Sequence, residues 1–380
     1  MRATRSDRDT AADSRWMRLA LRLAARAAGR TDPNPMVGAV VVRAGRVAGT
    51  GYHHRAGEPH AEVLALRRAG AKARGATLYV SLEPCAHFGR TPPCTEAILR
   101  SGVRRVVAAM RDPNPLNRGR GLRILRAHGV NATVGILGKE ALALNRVFMT
   151  RMRSRRPFVT VKIAQSLDGK IATRRGASRW ISGPAAREWA HRLRAESDAV
   201  LVGIETVLKD DPRLTVRGKA ADRQARDGRR PVRVILDSRL RTPPDARLFA
   251  SKAPVWIAAA TSAPGSRQAR LEETGAEVLR VRAVGGRVGL RALLKELHRR
   301  GIGRLLIEGG GEVVASALEA GVVDRVAWVI APKILGGSKA PTAVGGAGVS
   351  VPDQAIQLKG LSIRRLGSDL LVTGDVRRDH

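Results

Sequence analysis

Both cysteines of the chain fall in one stretch, "EPCAHFGRTPPC", which runs from Glu83 to Cys94. Some 25 residues before Cys85 lies His60-Ala61-Glu62, at the head of the helically spaced segment "HAEVLALRRAGA". These residues act together only if the fold brings a helix start, a strand end and a second helix start to one point. A metal ion that activates water needs three protein ligands, an open fourth position and a nearby carboxylate that moves protons without binding the metal. Thiolates are favoured near helix N-termini and beside a cation. His60, Cys85 and Cys94 are therefore candidate ligands and Glu62 the candidate proton carrier. A structural site closed by His87 as fourth ligand is the specific competitor.

The flanking pattern supplies such a fold. Apolar residues at helical spacing predict a first helix over 16–29, and residues 1–15 read as a polar tail without the apolar region of a signal peptide. "MVGAVVVRAGRVAGTGYH" reads as strand, turn at Ala44-Gly45, strand. "ATLYVSLEPC" reads as a buried strand running into the cysteine loop, and "PPCTEAILRSG" starts a helix that Gly102 ends. Strand and helix alternate to about Leu144, the pattern of an α/β layer structure. The basic segment "RMRSRRP" at 151–157 marks a boundary, after which the alternation restarts, with helices expected over 184–196 and 289–300. At 380 residues two domains are expected, 16–150 and 157–380. The charged stretch 217–230 is expected to be a mobile loop.

The second half offers weaker signals. "LLIEGGGEVVASALEAG" is a strand, a glycine turn and a helix, which presents backbone N–H groups to a phosphate or is merely a turn. Lys162 is an odd charge in a strand that snorkels to an edge unless it has a task. Asp210 and Asp211 read as a cap or turn, in a loop region where α/β sites lie. The formal charge of +36 attracts polyanions, but arginine is spread along the chain and aromatics for base stacking are only 3%. No nucleic-acid groove and no membrane contact are expected, and two thiols fit a reducing cytoplasm better than a disulfide framework.

H-x-E with a following P-C belongs to zinc-dependent nucleobase deaminases, although eight residues separate the cysteines here where two are usual. "TDPNPMVGAVVV", "GYHHRAGEPHAEVLAL", "EPCAHFGRTPPCTEAI" and "DPNP" resemble the deaminase half of the bifunctional riboflavin-biosynthesis deaminase–reductase family, in which the long loop is usual. The resemblance implies a cytidine-deaminase-like three-layer α/β/α domain holding one zinc per chain on His60, Cys85 and Cys94. It places Asn34, His53, His87, Arg90, Asp112 and Asn114 around a phosphorylated pyrimidine substrate. A nucleic-acid deaminase would share the metal site without explaining the second half, and a non-catalytic zinc module would need a fourth ligand.

"VKIAQSLDGKIAT", "SRWISGPAAR", "VGIETVLKDDPRLTVR", "IEGGGEVVASAL" and "VDRVAWVIAPKILGG" resemble the same family's reductase domain. That implies a dihydrofolate-reductase-like α/β fold and NADPH as cofactor. Ala164, Trp180, Thr206, Asp210 and Ser238 would contact NADPH, as would the run Gly310, Gly311, Glu312, Val313, Val314, Ala315 and Ser316. Ser178, Arg194, Leu214, Arg217 and Glu308 would contact substrate, the two arginines as a phosphate clamp. Lys162, Asp210 and Glu308 are candidates for polarising or protonating the ribose. Glu312 is an acid where a cofactor phosphate is expected. A homodimer or tetramer is implied as well.

Overall fold

The computed structural model describes residues 5–89, 91–222 and 230–377. The chain divides into two compact units, Met1–Arg155 and Arg156–His380. In the first, β1 (Gly38–Arg43), β2 (Arg46–Tyr52), β3 (Thr77–Val80), β4 (Arg105–Ala108) and β5 (Asn131–Val134) form a sheet of order β2-β1-β3-β4-β5. β1 runs antiparallel to β2 and β3, while β3, β4 and β5 are parallel. Ala44 and Gly45 close the first hairpin with φ of 48° and 71°, the left-handed pair that a two-residue turn requires.

Two glycines fix the layers. A Cβ on Gly38 would collide with Ala20 of α1 (Arg5–Ala25), and one on Gly51 with Ala61 of α2 (Ala61–Ala69). Gly51 pairs with Ala39, the residue after Gly38, so the two glycines point to opposite faces. Hence α1 covers one face of the sheet and α2 the other. α3 (Cys94–Ser101) packs beside α2, and α4 (Arg120–Ala127) beside α3. The unit closes with α5 (Gly138–Leu144) and α6 (Arg146–Ser154). Met17, Val40, Leu78, Ile98 and Leu122 meet in its core.

The N-terminus corrects the sequence expectation. The helix expected over 16–29 starts at Arg5, inside the expected polar tail 1–15, and stops at Ala25. Asp13 is the reason: it is buried, takes both arms of the Arg105 fork at 2.8 and 2.6 Å, and accepts the Tyr79 hydroxyl at 2.8 Å. An acid that reads as solvated decoration instead ties α1 to β3 and β4. Asp13→Ala removes the carboxylate that Arg105 and a buried phenol share. It is expected to cost about 2–3 kcal/mol, discounted because Arg105 is partly exposed. Thermal unfolding of the first unit checks this; a melting temperature equal to wild type would contradict it.

The second unit is one nine-stranded sheet of order β10-β9-β8-β7-β13-β6-β14-β16-β15. Its strands are β6 (Phe158–Ser166), β7 (Ala199–Gly203), β8 (Val232–Leu236), β9 (Val255–Ala260), β10 (Glu277–Val281), β13 (Arg304–Ile307), β14 (Arg325–Ala331), β15 (Leu358–Leu366) and β16 (Asp369–Val376). A small hairpin, β11 (Ala283–Val284) and β12 (Arg287–Val288), stands apart. Neighbours from β10 to β14 are all parallel, and only β16 and β15 pair antiparallel. The carboxyl ends of β6, β13, β7 and β8 therefore lie along one edge, where ligands bind in such sheets. Helices α7 (Pro184–Ala195), α8 (Ile204–Asp210), α9 (Gly265–Glu272), α10 (Leu290–Arg299) and α11 (Gly311–Glu319) complete the unit. Of the loop expected at 217–230, residues 223–229 lie outside the described residues. Among the described residues no helix is long and apolar enough to cross a membrane.

Candidate active sites

In the first unit the sheet ends and helix starts converge on three donors. His60 caps the start of α2, Cys85 follows β3, and Cys94 opens α3. Their ligand atoms all lie within 4.8 Å of one another. His60 Nδ1 is 3.1 Å from Cys94 Sγ and 3.5 Å from Cys85 Sγ. The Cys94 N–H donates to Cys85 Sγ at 3.2 Å, the helix start stabilising sulfur charge. The hydrogen bond from the Cys94 side chain holds the Cys85 thiol far below its ordinary range against the effect of burial, and His60 assists. Two sulfurs and one imidazole nitrogen are the donor set of a zinc site with one open position, so the residues fit the metal. Thr91 Oγ1 lies 3.4 Å from His60 Nε2 and fixes the ring so that Nδ1 faces the sulfurs. His87, the fourth ligand a closed site would need, is not in the cluster.

A cavity of about 300 Å³ opens beside these donors. Glu62, Asn34, His53, His87, Asp112 and Asn114 all line it; Arg90 lies outside the described residues. Glu62 is 4% exposed, and burial pushes its carboxyl up to about 7 against the pull of His60. Burial lowers the basicity of His53, whose Nε2 accepts from Asn34 Nδ2 at 3.0 Å while Nδ1 points at the Pro59 carbonyl. That leaves His53 a neutral ring with fixed tautomer. His87 Nδ1 is buried and has no hydrogen-bond partner among the described residues.

Sequence reasoning missed Glu83. Its buried carboxylate accepts the backbone N–H groups of Asp112 at 3.1 Å, Gly119 at 3.0 Å and Leu122 at 3.3 Å. Asn117 adds a bond to Asp112 and one from the Ala86 N–H to its own side chain. The segment that carries Asp112 and Asn114 is thus pinned to the residue two before Cys85. A Glu immediately before Pro-Cys was the signal available.

The second unit has two adjoining cavities along the carboxyl edge, of about 890 and 540 Å³. They share Ile171, Ser178, Thr206, Asp210 and Gly310. The larger is lined by Ser238, Gly311, Glu312, Val313 and Ser316; the smaller by Lys162, Ala164, Trp180, Arg194, Arg217 and Glu308. Val314, Ala315 and Leu214 are buried in the core and line neither cavity. The helical turn of α11 explains the first two, since its inward face cannot also face a ligand. Glu312 turns aside: its carboxylate accepts the Gly346 N–H at 3.2 Å and sits 3.7 Å from Arg287.

In the smaller cavity Arg194 grips Glu308 with both arms, Nε to Oε1 at 2.9 Å and Nη2 to Oε2 at 2.5 Å, and donates to the Thr215 carbonyl at 3.1 Å. Burial opposes ionisation of Glu308, but the Arg194 charge and fork outweigh it and keep the carboxyl below its ordinary value. Burial lowers the Lys162 ammonium, with Glu308 pulling the other way. His191, also overlooked in the sequence, lines this cavity, and burial with the charges of Arg194 and Arg217 holds it down to about 4. Burial also weakens protonation of Arg217, and Arg194, Arg213, Arg179 and Arg247 crowd it with like charge. Ser178 Oγ–H donates to Asp210 Oδ1 at 3.3 Å.

Known proteins share both halves. Residues 157–372 match the RibD C-terminal domain, and residues 10–110 match the cytidine and deoxycytidylate deaminase zinc-binding region. The riboflavin biosynthesis protein RibD of Aquifex aeolicus (strain VF5) is 45% identical over 361 residues, covering 95% of this chain and 97% of that protein. The RibD of Escherichia coli (strain K12) is 42% identical over 364 residues, covering 94% and 98%. Among solved structures, Acinetobacter baumannii RibD, form 1, matches with a TM-score of 0.84 at 38% identity, covering 97% of this chain and all of that one. A diaminohydroxyphosphoribosylaminopyrimidine deaminase/5-amino-6-(5-phosphoribosylamino)uracil reductase of Thermotoga maritima matches with a TM-score of 0.80 at 36% identity.

Proposed function

The chain belongs to the RibD family of riboflavin-biosynthesis proteins, and we propose from its two sites how this zinc-dependent deaminase and NADPH-dependent reductase works. The first unit hydrolyses the 2-amino group of 2,5-diamino-6-(5-phosphoribosylamino)pyrimidin-4(3H)-one. The second reduces the opened ribosyl chain to ribityl, giving 5-amino-6-(5-phosphoribitylamino)uracil. The single observation that carries the reading is the convergence of His60, Cys85 and Cys94 beside a cavity that also contains buried Glu62.

His60, Cys85 and Cys94 hold the zinc, which when bound makes water nucleophilic near neutral pH. Glu62 takes one proton from the attacking water and passes it to a ring nitrogen, then takes the second from the hydroxyl that the water has become and passes it to the amino group, which leaves as ammonia. Burial favours the protonated carboxyl, which helps Glu62 hold a proton it has taken until it passes it on. Neutral His53, fixed by Asn34, offers a directed polar edge to the pyrimidine, and Asp112 and Asn114 reach the ribose phosphate from the loop that Glu83 pins. Arg90 supplies a cation from the cysteine loop.

In the second unit NADPH supplies the hydride. The Gly310–Gly311 turn at the start of α11 presents N–H groups without intrahelical acceptors to its phosphates, and Thr206 and Asp210 border it where the two cavities meet. When the ribose ring opens, its oxygen becomes a hydroxyl and C1′ is left as an imine carbon. Lys162, beside the Arg194–Glu308 pair, delivers the proton that the imine nitrogen takes up as hydride reaches C1′. Arg217, crowded by like charges, is relieved by a phosphate dianion, so it takes the ester end of the substrate. A cytoplasmic location follows from the need for two reduced thiols. Assembly as a homodimer or tetramer is supported by the outer strand β15, which exposes Leu361 and Ile363 on a sheet edge.

Stripping the metal tests the first half. One zinc per chain is expected, and its removal should abolish ammonia release while NADPH oxidation on supplied deaminated intermediate continues. Ammonia release that persists without metal would contradict the assignment.

A further inference from the structure

One wall of the cavity in the first unit is the loop from Asp32 to Met36, of which Pro33, Asn34 and Pro35 line the space. Neither proline has a backbone N–H, so this segment cannot pair as a strand and needs other tethers. Both tethers come from the last helix of the unit. The side chain of Asn145, 2% exposed, accepts the Met36 N–H on Oδ1 at 2.8 Å and donates from Nδ2 to the Met36 carbonyl at 2.9 Å. One amide thus serves both backbone groups of Met36, as a neighbouring strand would. Arg151 lies 3.8 Å from Asp32 at the other end of the loop, with both side chains largely buried. Phe148, between them in sequence, lines the cavity itself. Asn145 caps α6, and Phe148 and Arg151 follow at steps of three, so one side of that helix runs along the loop.

Asn34 is the middle residue of the tethered segment, and its Nδ2 donates to His53 Nε2 at 3.0 Å. The backbone repeats the link, since the His53 N–H donates at 2.9 Å to the carbonyl of Val37, one residue past Met36. The His53 ring in turn stands edge-on to that of His60, with centroids 5.3 Å apart. A loop that drifted would free the His53 ring, and its two nitrogens could then exchange donor and acceptor roles inside the cavity. We propose that Asn145 is a positioning residue for deamination, which acts through Met36 and Asn34 to hold His53 in one tautomer and one orientation towards the pyrimidine. The Arg151–Asp32 pair is the second tether of the same wall. This proposal rests on the deaminase reading of the first unit.

The test uses the full-length, zinc-loaded protein. Asn145→Ala is expected to lower kcat/KM for ammonia release roughly 10²-fold, the cost of an ångström-scale misplacement at a reacting centre. It should keep one zinc per chain and oxidise NADPH at the wild-type rate on supplied deaminated intermediate. Asn145→Asp keeps the acceptor for the Met36 N–H and should retain part of the activity. In an Asn34→Ala background, adding Asn145→Ala should cost less than about threefold, because the residue it acts through is already gone. Ring nitrogen NMR should show one protonated and one bare nitrogen on His53 in wild type, and averaged nitrogens in Asn145→Ala. Losses that multiply in the double variant, or a fixed His53 tautomer in a slowed Asn145→Ala protein, overturn the proposal. So does an Asn145→Ala protein with wild-type kcat/KM. If Asn145→Ala does not fold, Asn145→Asp decides: a wild-type rate together with a wild-type His53 spectrum overturns the proposal. Wild-type protein that releases no ammonia overturns the deaminase reading instead, while the His53 spectrum still reports whether Asn145 fixes the ring.

Discussion

Glu62→Ala is expected to lower the rate of ammonia release by roughly 10²- to 10⁴-fold while leaving one zinc bound per chain. Glu62 sits two residues after His60 at the start of α2, 4% exposed, and is not one of the three convergent donors. Alanine there removes the only carboxylate assigned to carry protons between water, ring and leaving group. The metal should remain because His60, Cys85 and Cys94 are untouched. Glu62→Gln should be nearly as slow, since it keeps the shape and hydrogen-bonding capacity but cannot accept the proton. Metal analysis and ammonia assays on the same preparation check this. Substantial activity in either variant would contradict the role of Glu62; loss of zinc would make it a ligand.

Lys162→Met should leave ammonia release intact and slow NADPH oxidation by roughly 10²- to 10⁴-fold, so that the deaminated intermediate accumulates. Methionine keeps most of the side-chain volume in β6 and removes only the ammonium. Burial lowers the pKa of Lys162 and the Glu308 carboxylate partly restores it, so the acid form is lost at a lower pH than for a free lysine. A lysine that donates a proton works below its pKa. The wild-type reductase rate should therefore fall on the alkaline side before the ordinary lysine range, and that limb should vanish in the variant. An unchanged alkaline limb would move the proton-donor role to another group.

How much of this was legible depended on whether a signal was local. The turn at Ala44-Gly45, the helix start at Cys94 and the stop at Gly102 each followed from a few neighbouring residues, and each is present. The metal cluster was legible because cysteine occurs nowhere else in the chain. The eight residues between Cys85 and Cys94 looked anomalous only as spacing. In the fold the Cys94 N–H returns to Cys85 Sγ, so the two thiols meet whatever the length between them.

What escaped was long-range pairing of charge. Nothing near Asp13 in sequence announces Arg105 or Tyr79, and helix α1 was accordingly read as too short. Arg194 was read as a phosphate clamp, but its fork is occupied by Glu308, more than a hundred residues away, and Arg217 is the freer cation. Glu83 was hidden in the very motif that was read, because its three acceptor bonds reach a loop some thirty residues on. The run from Gly310 to Ser316 was read as one binding stretch although a helix shows a ligand only one face. Glu312, Val313 and Ser316 border the cavity, while Val314 and Ala315 are in the core.

The most direct measurement follows ammonia and NADPH in one reaction, starting from the phosphorylated diaminopyrimidine and zinc-loaded protein. The expected result is ammonia first, then one NADPH oxidised for each ammonia released, with no NADPH consumed when Glu62→Ala protein is used alone. NADPH oxidised without prior ammonia, or no ammonia from zinc-loaded wild type, would contradict the account.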